Sequence, residues 1–128
     1  MFTHHTPPSI RPPFANYAHG VEVAPGARWL FVSGQLGIGP DDHVPADTAG
    51  QARLCFQNIA AVLASAGMGL ADIVRLNATV AGREHLADYM KVRDEFVTDP
   101  APASTLMIVT GFAREIFNVE IEVVAAKV

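Results

Sequence analysis

The chain of 128 residues is the size of one ordinary domain and too short for two with separate cores. Half of its residues are hydrophobic, mean hydropathy is +0.24 and only 17% are charged, below the roughly 25% of an average soluble domain, so a lone subunit would expose excess apolar surface and copies of the chain are expected to associate. A net charge of -4 with nine scattered Lys and Arg argues against a nucleic-acid partner, no apolar run approaches the ~20 residues of a membrane span, and a single cysteine, Cys55, excludes an intrachain disulfide, so a soluble protein of the reducing cytoplasm is expected.

Met1 to Phe14 is proline-rich and polar, without the apolar stretch of a signal peptide. Four prolines within residues 6–16 block helix and favour extended backbone, so residues 1–16 are expected to be an extended lead-in to a single domain spanning 1–128. Tyr17–Val23 and Trp29–Ser33 then read as strands around the turn Ala24-Pro-Gly-Ala27, together an antiparallel hairpin. In the stretch from Ser33 to Pro40, Gly34, Gly37 and Gly39 mark a backbone that bends and admits close neighbours. Thr48-Ala-Gly-Gln51 has the spacing of a capping box. It opens a helix expected to run to about Ala66 and stop at Gly67, with Phe56, Ile59, Leu63 and Ala66 on its apolar stripe.

Ile73–Val80 alternates Val74, Leu76, Ala78 and Val80 with Arg75, Asn77 and Thr79, the pattern of a strand with unlike faces. Residues 83–97 form a second helix with Leu86, Tyr89, Met90, Phe96 and Val97 as its buried side, ended by Asp99-Pro-Ala-Pro102. Ser104–Thr110 and Asn118–Ala125 supply two final strands, the last with Val119, Ile121 and Val123 on one face and Glu120, Glu122 and Val124 on the other. The order ββαβαββ predicts an α+β domain, a mixed sheet with two helices on one face.

Common sites are missing from this pattern. There is no phosphate-binding glycine loop and no nucleophile elbow, and the five histidines lack ligand spacing, so no metal site is expected. Glu120 and Glu122 remain, two residues apart on one face of an apolar strand. Either both solvate a wet face, or one lies in a cleft and transfers protons; spacing alone leaves both open. Cys55 reads as a packed thiol and Trp29 as a core aromatic, while Tyr17 is either a core ring or a pocket hydroxyl.

Taken in order, Asn16-Tyr-Ala-His-Gly20, Leu30-Phe-Val-Ser-Gly-Gln35, Gln51 with Asn58-Ile59, Leu63-Ala-Ser-Ala-Gly67, Asp72-Ile-Val74, Pro102-Ala103 and Val119-Glu-Ile-Glu122 resemble the Rid family of reactive intermediate deaminases, also called YjgF-like or L-PSP proteins. The resemblance covers nearly the whole chain. It implies a chorismate-mutase-like subunit, a homotrimer with small-molecule pockets between subunits, and hydrolysis of enamines and imines to a ketoacid and ammonia without a cofactor. It also implies that Tyr17 and Gly34 line the pocket, that Glu120 positions water, and that positions near Met90 and at Leu106 face the substrate.

One feature of the family pattern is missing. Where the family has an arginine that clamps the substrate carboxylate, Pro102-Ala103 is followed here by Ser104-Thr105, as in Rid subgroups that lack this arginine. A hydrogen bond to a charged group contributes about 1.5–3 kcal/mol. A carboxylate substrate should therefore bind poorly unless another cation, such as Arg114, reaches the pocket. The expected function is enamine or imine hydrolysis with an altered substrate range; the alternative is a ligand-binding or regulatory trimer without turnover. A ribonuclease role, a label carried by the family, is disfavoured by the acidic balance.

Overall fold

The computed structural model describes residues 1–97 and 99–128. The proline-rich start is tied into a sheet: Phe2–His5 (β1) pairs antiparallel with Gly20–Val23 (β2), Phe2 opposite Val23 and His5 opposite Gly20. The expected hairpin is thus replaced. The next strand, Arg28–Leu36 (β3), turns away from β2 and pairs antiparallel with the last, Val119–Lys127 (β6). A four-residue β2 could satisfy only part of the backbone of a nine-residue β3, whereas β6 matches it in length. The order therefore gains one strand at its start over the expected ββαβαββ.

Ile73–Val80 (β4) lies between β6 and Ala103–Ile108 (β5), giving the sheet order β3-β6-β4-β5, with only β4 and β5 parallel. The α+β expectation of a mixed sheet carrying two helices holds. The helices are Thr48–Ser65 (α1) and Leu86–Phe96 (α2). Val119, Ile121, Val123, Leu76, Ala78 and Val80 face them and form the core with Phe56, Ile59 and Leu63 of α1. The Phe56 and Phe96 rings stack with centroids 4.8 Å apart. Among the described residues no helix is long and apolar enough to cross a membrane.

Helix α1 ends as expected, with the Met68 N–H returning to the Leu63 carbonyl and the Gly67 N–H to that of Ala64. Its start differs, because Asp47 is the N-cap and no side chain caps it. Gln51 is fully buried and bridges the chain instead: Nε2 donates to the Pro45 and Ile116 carbonyls at 3.0 and 2.8 Å, and Oε1 accepts the Asn118 N–H at 2.8 Å. The Thr48 hydroxyl faces His85 Nδ1 and accepts from Asn118 Nδ2. On α2, Tyr89 is buried as expected, but so are Val92 and Arg93, which the apolar pattern omits.

Among the described residues no helix covers the sheet's other face. Trp29, expected in the core, stands 52% exposed on it beside Phe31, 74% exposed, because odd-numbered residues at this end of β3 point away from α1. At the opposite edge, the Ala18 N–H donates to the Pro102 carbonyl at 2.9 Å and Ala18 bridges Ala103, laying the segment that contains Tyr17 alongside β5.

Candidate functional site

Glu120 sits in the middle of β6 on the helix-free face, paired with Thr79 of β4 and Leu36 of β3. It is half-buried. Strand β3 slips register between Val32 and Gln35, and this irregularity brings Gly34 against the carboxylate. A Cβ at position 34 would stand 2.7 Å from Glu120 Cδ and 3.0 Å from Oε2, closer than real Cβ contacts come. Glycine is what lets the carboxylate lie on the strand. Glu122 is exposed and accepts a hydrogen bond from Asn77 Nδ2 at 3.2 Å. The two carboxylates share a face and line one recess of about 230 Å³ with Arg75, Asn77, Thr79, Thr105 and Met107, yet only Glu120 is seated against backbone. Arg75 Nη2 donates to Thr105 Oγ1 at 2.8 Å.

A second recess, about 310 Å³, is lined by Tyr17, Met90, Ser104, Thr105 and Leu106 together with Phe14, Ala15 and Arg93. Five of the seven singled-out residues thus meet between the edge strand β5, helix α2 and the Pro-rich segment. The Tyr17 hydroxyl accepts the Phe14 N–H at 3.2 Å, which leaves its proton free to donate. Ser104 pairs with Leu76 and Leu106 with Ala78, on the helix-facing side; Thr105 pairs with Asn77, on the open side. Glu120 and Gly34 therefore stand on one face of the sheet and Ser104 on the other, with Thr105 lining both recesses.

Arg114 does not line this cleft; its exposed guanidinium lies 5.9 Å from the Phe117 ring centroid. The cation at Ser104's recess is Arg93. The sequence held a signal for it, since Leu86, Tyr89, Met90, Arg93, Phe96 and Val97 fall on one stripe of α2 and the arginine fills its gap. Cys55 is sealed under the sheet, its thiol pushed up to about 12 by burial and, secondarily, by the negative charge of Glu120. It is the packed thiol expected. Burial likewise raises the Tyr89 hydroxyl, against the opposing charge of Arg93. Among the described residues no three His, Cys, Asp or Glu side chains come together as a metal cluster.

A family model described as Endoribonuclease L-PSP matches residues 9–127. The 2-iminobutanoate/2-iminopropanoate deaminase of Escherichia coli strain K12 is 29% identical over 129 residues, spanning 98% of this chain and 94% of its own. Among solved structures, the Rid-family protein YyfB of Yersinia pestis, a protein of unknown function, matches with a TM-score of 0.86 at 26% identity over 98% of both chains. The YjgF gene product of E. coli matches with a TM-score of 0.73 at 28% identity, over 90% of this chain and 91% of its own.

Proposed function

Because the chain belongs to the Rid family, the L-PSP or YjgF-like proteins, we propose that it hydrolyses imines and enamines, with Glu120 positioning the attacking water. The observation that carries this reading is the Glu120 carboxylate seated against Gly34 at the wall of a recess it shares with Thr105. Such a carboxylate holds a water by one hydrogen bond and takes its proton as the oxygen attacks the imine carbon. The tetrahedral adduct then collapses, the proton passing to nitrogen as the C–N bond breaks. For 2-iminopropanoate the balance is one imine and one water giving one pyruvate and one ammonia, so water is the sole co-reactant.

The same reading includes a cytoplasmic homotrimer with pockets lined by two chains, and an altered substrate range that follows from Ser104 in the place of the clamping arginine. Support for assembly comes from Trp29, Phe31 and Met107, all more than half exposed on the helix-free face. An endoribonuclease role draws no support from a surface of net charge -4 with scattered cations.

The experiment is a coupled assay in which an amino-acid oxidase generates 2-iminopropanoate and its accelerated loss is followed. Glu120→Gln, which keeps the shape but cannot take the proton, should keep the fold and lose about 100-fold or more in kcat. Glu122→Gln should change it by less than about 3-fold. Equal activity in the two variants would return both carboxylates to the role of a solvated face. Binding of pyruvate by a wild type with no turnover would favour the ligand-binding trimer. Light scattering should give three times 13.7 kDa, and a monomer at micromolar concentration would remove the interfacial pocket.

A further inference from the structure

We propose that Arg93 is the cation that receives a substrate's carboxylate, so that the anionic end of the ligand is held from helix α2 and not from strand β5. The inference rests on the proposed imine hydrolase with pockets lined by two chains, the Tyr17–Ser104 cleft of one chain being the end of the pocket that takes the carboxylate.

Arg93 is 4% exposed, one of few buried polar or charged side chains, yet it is far from saturated. A guanidinium carries five N–H donors. Among the described residues its one side-chain bond is from Nη2 to Asp94 Oδ1 at 3.1 Å, and Nε is buried without a partner. Asp94 is its neighbour in sequence and more than half exposed, so that ion pair is largely solvated. A buried guanidinium whose described partner is one exposed carboxylate favours an anion against the part of it that lines the cleft, because desolvating the charge is costly unless it is paired.

The surroundings say which. Among the described residues Arg93 is the only charged one lining the cleft; Phe14, Met90 and Leu106 are apolar, and Tyr17, Ser104 and Thr105 offer hydroxyls. A volume of about 310 Å³ is at the small end for ligand pockets. One cation, a few hydroxyls and an apolar wall fit a small monoanion with a hydrocarbon portion. Serine at 104 is shorter than the arginine of the family pattern, and Ser104 and Arg93 line the same cleft.

The test uses the intact protein with pyruvate, the product carboxylate, and methyl pyruvate, its uncharged ester, titrated by calorimetry or NMR. Arg93→Gln should weaken pyruvate binding about 10- to 100-fold and leave the ester nearly unchanged. In the coupled assay it should raise KM for 2-iminopropanoate with little change in kcat, the signature of lost uniform binding. A purely packing role would move ester and carboxylate alike. Because a buried arginine variant can fail to fold, Asp94→Asn provides the second arm: releasing Nη2 from its exposed partner should tighten pyruvate binding about 2- to 5-fold. Unchanged pyruvate affinity in a folded Arg93→Gln, or in Asp94→Asn, overturns the proposal. The two readings fail separately. A wild type that hydrolyses the imine with an indifferent Arg93 keeps the hydrolase and loses the clamp, whereas pyruvate binding through Arg93 with no turnover keeps the clamp and loses the hydrolase. A wild type that does neither removes both.

Discussion

Gly34→Ala isolates the placement of the Glu120 carboxylate without altering the carboxylate itself. The new methyl would stand 2.7 Å from Cδ, 3.0 Å from Cγ and 3.0 Å from Oε2. Ordinary contact begins at 3.4 Å, so the carboxylate must retreat by about 0.7 Å. Gly34 is not among the glycines with positive φ, and alanine fits its backbone. Only the far end of a flexible side chain has to move, and the loss of glycine's excess freedom in a strand recovers roughly 0.5–1 kcal/mol. Stability should therefore change by less than about 1 kcal/mol. Turnover should not escape, since displacing a reacting group by about 1 Å can cost on the order of 100-fold. The expected result is a 10- to 100-fold fall in kcat for 2-iminopropanoate with an unchanged melting temperature. The measurements are the coupled imine assay, a thermal melt and a crystal structure of the variant. Wild-type kcat in a crystal whose Glu120 has visibly moved would refute the role given to that carboxylate.

Further outcomes follow from buried groups and from the cleft. Gln51→Leu should destabilise by about 3 kcal/mol or more in urea unfolding, because it strands the Pro45 and Ile116 carbonyls and the Asn118 N–H at once. The Cys55 thiol, raised from 9.0 to about 12 in the fold, contributes its full stability below pH 9; above that the unfolded thiol ionises first, and stability falls by about 1 kcal/mol per pH unit until the folded thiol also titrates. Cys55→Ala should flatten the fall measured by urea unfolding between pH 9 and 11, leaving the part from Tyr89, which has the same sign. Ser104→Arg in the Arg93→Gln background should bring KM for 2-iminopropanoate back down by about 10-fold, since it returns a guanidinium to the same cleft from the opposite wall. No recovery in a folded double variant would show that the cleft does not hold the carboxylate.

What the sequence reveals here is mostly local. The alternation in 73–80 and in 119–123 is written residue by residue, and burial follows it without exception at Leu76, Ala78, Val119 and Ile121. The end of α1 at Gly67 is a local event too. The partner of β3 is not, because nothing near Arg28–Leu36 announces a strand that begins 83 residues beyond its end. Gln51 misleads for the same reason: its spacing from Thr48 is that of a cap, but its hydrogen-bond partners include Ile116 and Asn118, which only the folded chain brings near. Trp29 misleads by type, since a large aromatic in an apolar strand reads as core until the sheet is seen to have one uncovered face. Arg93 misleads by charge, since an arginine on an apolar stripe reads as an interruption although the stripe itself puts it on the buried side. The pocket candidates came from resemblance, and five of them meet at the α2 cleft while Glu120 and Gly34 stand together elsewhere.

That division bears on how the proposed site is completed. Strand β5 is at the edge of its sheet, and its side chains alternate, Ser104 toward the helices and Thr105 toward the open face. In a 2-imino acid the carboxylate and the reacting carbon are adjacent, so one small imine cannot reach both Arg93 and the Glu120 of the same chain, which stand on opposite faces of the sheet; the two would serve one substrate only where two copies of the chain adjoin. Among the described residues of one chain, neither of the two helices covers the open-face recess. A second copy laid over the helix-free face would cover Phe31 and Trp29, exclude bulk water from Glu120 and supply the missing wall, so the apolar excess of the composition and the division of the site share one remedy. It follows that activity and assembly should fail together: Phe31→Asp, placed on the exposed face and touching neither Glu120 nor Arg93's cleft, should yield a folded monomer that has lost imine hydrolysis. A monomeric Phe31→Asp with wild-type kcat would show that each chain carries a complete site of its own.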